Sequence, residues 1–453
     1  MGTSGLRGRG ASPPFPPRRS VPKRPSAPAY CRRPRRVRLP AMTSHRRALL
    51  ILTLVIASGS TPFAVAATPR APHAKLSDYF TPLDIDRSKR YRGPVYALAF
   101  TGLAAGLIAG AAMGLGRGNR WLGRWAGNVT GRWALQALLL AAVVTLVTTA
   151  TSLPFAYGRY LHDRHWGLST QSATVFFADT AKGTGFELVL TAVTALGFFA
   201  IVRALPRGWP AAAAGFAVAL TILLVYVLPV IYEPLFNRFT PVQPDVRARV
   251  LALADRAGVK VGDVLVADAS RRTTTQNAYV SGLGATKRVV LYDTLLERSS
   301  PRQVDLVVAH ELGHVAHQDV LKGTILGAAG AVLAVLLIWR LLEWEALRAW
   351  LGIAGASDPR TLPFLAFVLA AASIVTLPIV NAYSRHIEAA ADRAAVENTR
   401  DPDTAVQVEV SLARSNRSDL QPNAFVRTVF YTHPPALDRI QIALDWKAQH
   451  AGG

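Results

Sequence analysis

Six long apolar runs punctuate this chain, at positions 95–115, 133–149, 186–202, 209–231, 324–342 and 362–380. A helix needs about 20 apolar residues to cross the hydrocarbon core of a bilayer, and each run is at or near that length and almost free of charge. They predict six membrane-spanning helices. The first carries Gly102, Gly106, Gly110 and Gly114, one small residue per helical turn on one face, which predicts close approach of another helix. The polar stretch between the fourth and fifth runs has a different rhythm. Helical spacing covers 242–257, while 264–267, 278–281 and 289–292 are short β-branched or aromatic runs between glycine-containing turns, read as strands. Ser300, Pro301 and Gln303 form a helix-start signature, so 301–320 is predicted to be helical. A further helix is predicted over 384–397, leading into a helical C-terminal region. The pattern as a whole predicts a mainly α, polytopic membrane protein with a small α/β unit split around the fifth and sixth spans.

Composition changes this picture in two ways. The chain has 453 residues, 51% hydrophobic, with a formal charge of +23. That charge would suggest a nucleic-acid partner if it were spread over a folded surface. Instead, residues 1–41 alone hold eleven Lys and Arg (Arg7 through Arg38) and no acid, in a Pro- and Ser-rich background that buries little. No nucleic acid is expected, and membrane lipid is. Residues 43–47 are basic, 48–57 are apolar, and Ala64-Val65-Ala66 has the small-x-small form of a cleavage site. Residues 42–67 therefore read as a signal peptide or N-terminal anchor behind a second start at Met42, with 1–41 a disordered basic extension. The remaining segments are 68–232 (four spans), 233–323 (polar unit), 324–383 (two spans) and 384–453 (C-terminal segment). Arg117, Arg120, Arg124 and Arg132 flank one end of the first span, and Arg87, Lys89, Arg90 and Arg92 the other. The charge rule for membrane orientation therefore leaves the facing of the polar unit open. Oligomeric state is left open too.

The chemistry is concentrated at His310-Glu311-Leu312-Gly313-His314. Four residues is about one helical turn, so both imidazoles share a face and can close on one metal ion. Glu311 lies beside them, where a general base for a metal-activated water belongs. The sole cysteine, Cys31, excludes a thiolate site, so zinc would need His and carboxylate ligands. No third His follows at the longer spacing, where Val320 stands, and the helix turns His317 off the metal face. Glu388 is the candidate third ligand. Asp392, one turn on, would accept a hydrogen bond from a ligand histidine and orient its ring.

Several ordered stretches extend this motif. They are residues 176–180, Ile231-Tyr232-Glu233-Pro234-Leu235-Phe236-Asn237, Asn277-Ala278-Tyr279, residues 287–296, the HELGH itself, Ser384-Arg385 with Glu388 and Asp392, and His433-Pro434-Pro435. Over roughly residues 75–445 the chain resembles the type I CaaX prenyl proteases, integral-membrane zinc metalloproteases. The resemblance implies a ring of six or seven helices around a chamber, capped by a zincin-like catalytic unit. It implies one zinc on His310, His314 and Glu388, Glu311 as base and His433 as the donor that steadies the oxyanion. It implies that an extended peptide adds to the strand starting at Asn277, with Asn277, Ala278 and Tyr279 as its substrate-binding residues, and that Arg385 joins an ion pair within the site. The expected partner is a peptide or protein substrate. A lipid-modified C-terminus and membrane-protein quality control remain two open substrate classes. A channel or scaffold is the weaker alternative, because transporters place ionisable groups inside their spans and these spans hold almost none.

Overall fold

The computed structural model describes residues 70–282 and 287–451. The signal-like segment expected at 42–67 and the basic extension before it lie outside the described residues. Six described helices are long and apolar enough to span a membrane. They are α1 (Pro82–Gly114), α3 (Trp133–His165), α4 (Ala173–Ala204), α5 (Trp209–Tyr226), α8 (Asp319–Glu343) and α10 (Leu362–Thr399). Each packs on the next in chain order, and α10 returns to α1, so the spans close into a ring. Large apolar side chains such as Ile108, Val375 and Ile379 stay exposed on the spans, as hydrocarbon-facing helices require.

The glycine stripe of α1 serves two neighbours. A Cβ at Gly102 would lie 3.3 Å from the Phe155 ring of α3, and one at Gly114 only 2.7 Å from the Pro363 carbonyl of α10. Gly106 meets nothing within 4 Å, so close approach is confined to part of the stripe. The helix α2 (Gly116–Val129), unforeseen because its apolar positions are few, buries Leu122 and Ala126 and exposes Arg117, Trp121 and Arg124. It lies at the end of the ring where α1 stops.

The polar segment folds into a four-stranded sheet ordered β1-β2-β4-β3 and packed against helices. Strands β2 (Asp263–Ala267), β3 (Ala278–Ser281) and β4 (Arg288–Tyr292) match the predicted runs within a residue. The extra strand β1 (Phe239–Pro241) is too short and proline-ended to read from sequence. β2 pairs with β4 in parallel, and β1 and β3 pair antiparallel at the two edges. The core beneath joins Val250 and Leu253 of α6 (Pro244–Arg256), Val289 and Leu291 of β4, and Val308 and Leu312 of α7 (Pro301–Ala316). Residues Ala395, Val408 and Ala443 complete it, from α10, α11 (Pro402–Ser415) and α13 (Ala436–Gln449).

One expectation is corrected. The segment 384–397 is no separate helix, because nothing between Val380 and Ser384 breaks the backbone and α10 runs unbroken for 38 residues. At 1.5 Å per residue that is roughly 57 Å, against about 30 Å of hydrocarbon core. Its last turns therefore project beyond the bilayer into the catalytic unit.

Candidate metal centre

Local sequence sets the orientation of α7. Ser300 Oγ accepts from the Gln303 N–H and the Gln303 side chain accepts from the Ser300 N–H, a reciprocal cap behind Pro301. The apolar face of α7 buries Val304, Val308 and Leu312 and carries His310 with it. Gly313 lets α7 and α10 cross closely, since a Cβ there would stand 3.1 Å from the Ala394 Cβ and 3.4 Å from the Ala391 Cα. That crossing brings Glu388 opposite both histidines.

One donor atom each from His310, His314 and Glu388 can be chosen so that all lie within 4.8 Å of one another. The two Nε2 atoms are 3.2 Å apart, and His310 Nε2 is 3.2 Å from Glu388 Oε2. A tetrahedral zinc with ligand bonds near 2.0–2.1 Å separates its ligands by about 3.3–3.4 Å. The donor set therefore fits such an ion. So does a buried polar atom left over: Glu388 Oε2 is shielded from solvent yet makes no well-formed hydrogen bond among the described residues.

The other ring nitrogens face carboxylates. His310 Nδ1 stands 2.9 Å from Asp392 Oδ1, and His314 Nδ1 stands 3.0 Å from Asp319 Oδ2. Asp319 escaped sequence reading because it lies past the end of α7, folded back through Gln318 in the left-handed region (φ 56°). Behind Asp392, Arg439 donates from Nε to Oδ2 at 2.9 Å and from Nη2 to Oδ1 at 2.5 Å, while its Nη1 is 3.0 Å from Glu409 Oε2. This buried carboxylate–guanidinium–carboxylate row was also unforeseen, since α11 and α13 supply two of its members and no spacing links them. Burial pushes the Glu409 carboxyl up to about 7, against the pull of Arg439.

Burial disfavours a charged His310, yet the adjacent Asp392 and Glu388 carboxylates outweigh that and lift it to about 10 before a cation binds. His314 is shifted up in the same way, with Glu388 overcoming burial. Glu311 is raised above the ordinary glutamate range by burial, which suits a group that must take and return a proton.

A pocket of about 100 Å³ collects Asn277, His310, Glu311, Asp392, His433 and Arg439. His433 is exposed, and its Nε2 lies 3.2 Å from Glu388 Oε2. Asn277 is exposed at the mouth, and its carbonyl accepts from the Tyr292 N–H. Ala278 turns into the core at 2% exposure. Burial and the neighbouring Glu233 carboxylate push the Tyr279 phenol up. The expectation for Arg385 is corrected: it forms no ion pair among the described residues, and its Nη1 donates to the Arg427 and Tyr431 carbonyls at 2.9 and 2.7 Å. These two bonds tie α10 to the segment that leads into His433.

The family described as peptidase M48 matches residues 241–447, and the CAAX prenyl protease N-terminal family, with five membrane helices, matches residues 63–238. The chain is 28% identical over 316 residues to an uncharacterized metalloprotease of Bacillus subtilis, YhfN, covering 68% of this chain and 73% of that one. It is 30% identical over 260 residues to a CAAX prenyl protease 1 homolog of Dictyostelium discoideum, covering 55% of this chain and 60% of the relative. The crystal structure of S. mikatae Ste24p superposes with a TM-score of 0.74 at 20% identity, over 82% of this chain and 91% of that one.

Proposed function

The chain belongs to the type I CaaX prenyl protease family of membrane metalloendopeptidases, and from that premise we propose that it is a zinc endopeptidase cutting extended peptides at the membrane surface. The observation that carries this reading is the meeting of the His310, His314 and Glu388 donor atoms within 4.8 Å, with Glu311 beside them. His310, His314 and Glu388 would hold the ion, which supplies a Lewis acid that acidifies water and polarises a carbonyl. Glu311 takes the proton from the attacking water and returns it to the leaving amine. Asp319 accepts from the His314 Nδ1–H, and Asp392 faces His310 Nδ1 at 2.9 Å, so that the two carboxylates keep both Nε2 atoms turned inward. His433 donates to the carbonyl oxygen as it gains charge. The free edge of β3 receives the substrate as an added strand, with the Asn277 amide fixing its backbone. On this edge Ala278 contributes only main-chain bonds.

The named CAAX prenyl proteases among the relatives support C-terminal peptides whose cysteine is prenylated and followed by a few further residues as the substrate class. The test pairs reporter peptides that differ only in lipidation, incubated with the full chain in membranes. Faster cleavage of the lipidated peptide supports this class. Equal cleavage of both points to lipid-independent processing, and no zinc-dependent cleavage of either refutes the enzyme reading.

A further inference from the structure

The ring has a second chemically distinctive place, at the end remote from the metal centre. The intervening helix α8 has 25 residues, roughly 37 Å of rise. There, the end of α4, the start of α5, the end of α8 and the short helix α9 (Glu345–Leu351) enclose an open crevice of about 380 Å³. Val202, Trp209 and Leu342 form its apolar walls, and Arg203, Arg348 and Glu343 supply charge. Arg203 is held in place, with Nη1 donating to the Ser357 carbonyl at 3.0 Å and its guanidinium 5.2 Å from the Trp133 ring. Arg348 Nε is shielded from solvent and has no hydrogen-bond partner among the described residues. Neither arginine pairs with Glu343 or with any other described carboxylate.

Arg203 and Glu343 are exposed, whereas the Arg348 Nε is a shielded donor with no partner among the described residues, and such a donor is costly unless a ligand satisfies it. Two guanidiniums suit a phosphodiester, which accepts their N–H groups in forked geometry. Glu343, beside them, would repel a ligand that was purely anionic and would attract one that also carries an ammonium. Below Glu343 the same face of α8 continues as Leu336 and Leu333, exposed at 40% and 66%, a wall for acyl chains. We propose that this crevice binds the headgroup of a diacyl phospholipid bearing both a phosphate and a primary ammonium. The phosphate sits on Arg203 and Arg348, the ammonium on Glu343, and the chains lie along α8. Basic crevices between spans are recurrent headgroup sites.

The test is native mass spectrometry of the full chain after exchange with equal amounts of phosphatidylethanolamine, phosphatidylglycerol and phosphatidylcholine. The expected result is preferential retention of one phosphatidylethanolamine per chain. Arg348→Gln should lower retention of all three about tenfold, a loss equal to about 1.4 kcal/mol. Glu343→Gln should abolish only the preference for the primary ammonium. Unchanged thermal unfolding and metal content show that each variant is folded, and Arg203→Ala is avoided as the sole probe because Arg203 also ties α4 to the 355–357 turn. Equal retention of the three lipids, or retention unaffected by Arg348→Gln, overturns the proposal. Displacement of the bound lipid by soluble glycerophosphoethanolamine also overturns it, because the acyl wall would then contribute nothing.

Discussion

At the scale of single residues, the centre is a set of side chains each fixed by a partner behind it. His310 is oriented by Asp392, Asp392 by Arg439, and Arg439 by Glu409. Arg439→Ala should therefore do two things. It leaves two buried carboxylates uncompensated, costing about 3–5 kcal/mol of folding stability, and it loosens metal binding about 10–100-fold through His310. Thermal unfolding and competitive metal titration measure these separately, and a variant with unchanged Tm and affinity would deny the row its role. His433→Ala should lower kcat by about 10²–10³-fold while sparing metal content, the usual loss for one oxyanion donor. Equal falls in activity and metal content would make His433 a ligand or a structural residue. The raised His310 gives a pH dependence whose sign is fixed. Cation binding needs neutral imidazole, so below about 10 the cation must displace a proton from this site. Metal affinity should then rise with pH across the neutral range, with proton release on binding detectable by calorimetry in buffers of differing ionisation enthalpy.

At the scale of elements, the α7–α10 crossing is the decisive contact. Gly313→Ala should push the helices apart at Ala391 and Ala394, costing about 1–3 kcal/mol of overpacking. It should also weaken metal binding without touching a ligand. A crystal structure or metal titration of that variant with wild-type values would show that the crossing tolerates a methyl group. Much of this level was legible beforehand. The capping signature ahead of His310, the six apolar runs and three of the four strands were all local patterns. Glu388 could be named from sequence because it pairs with Asp392 at helical spacing. Asp319, Arg439 and Glu409 could not, since each reaches the site from an element with no periodic relation to α7. The unbroken course of α10 was hidden by a fall in hydropathy near Asn381, which is not a helix end. For Arg385 the sequence identified a charged residue near the site, but its partners are backbone carbonyls, which carry no sequence signal.

At the scale of the whole molecule, two kinds of solvent shape one chain. Hydrocarbon requires closed helices, and the ring of six described spans supplies them. Water outside permits a sheet with free edges, and β3 offers one beside the metal centre. The projecting end of α10 joins the two regions, so the third donor is carried on a membrane span and the first two on a helix of the polar unit. Metal binding should in consequence stabilise the joint between them. The most direct test is the zinc content of the purified full chain, measured by plasma mass spectrometry alongside peptide cleavage. The account predicts one zinc per chain in the wild type, its loss in Glu388→Ala, and its retention in Glu311→Gln with cleavage abolished. A wild-type chain without stoichiometric metal, or a Glu388→Ala chain that keeps both its zinc and its activity, would contradict it.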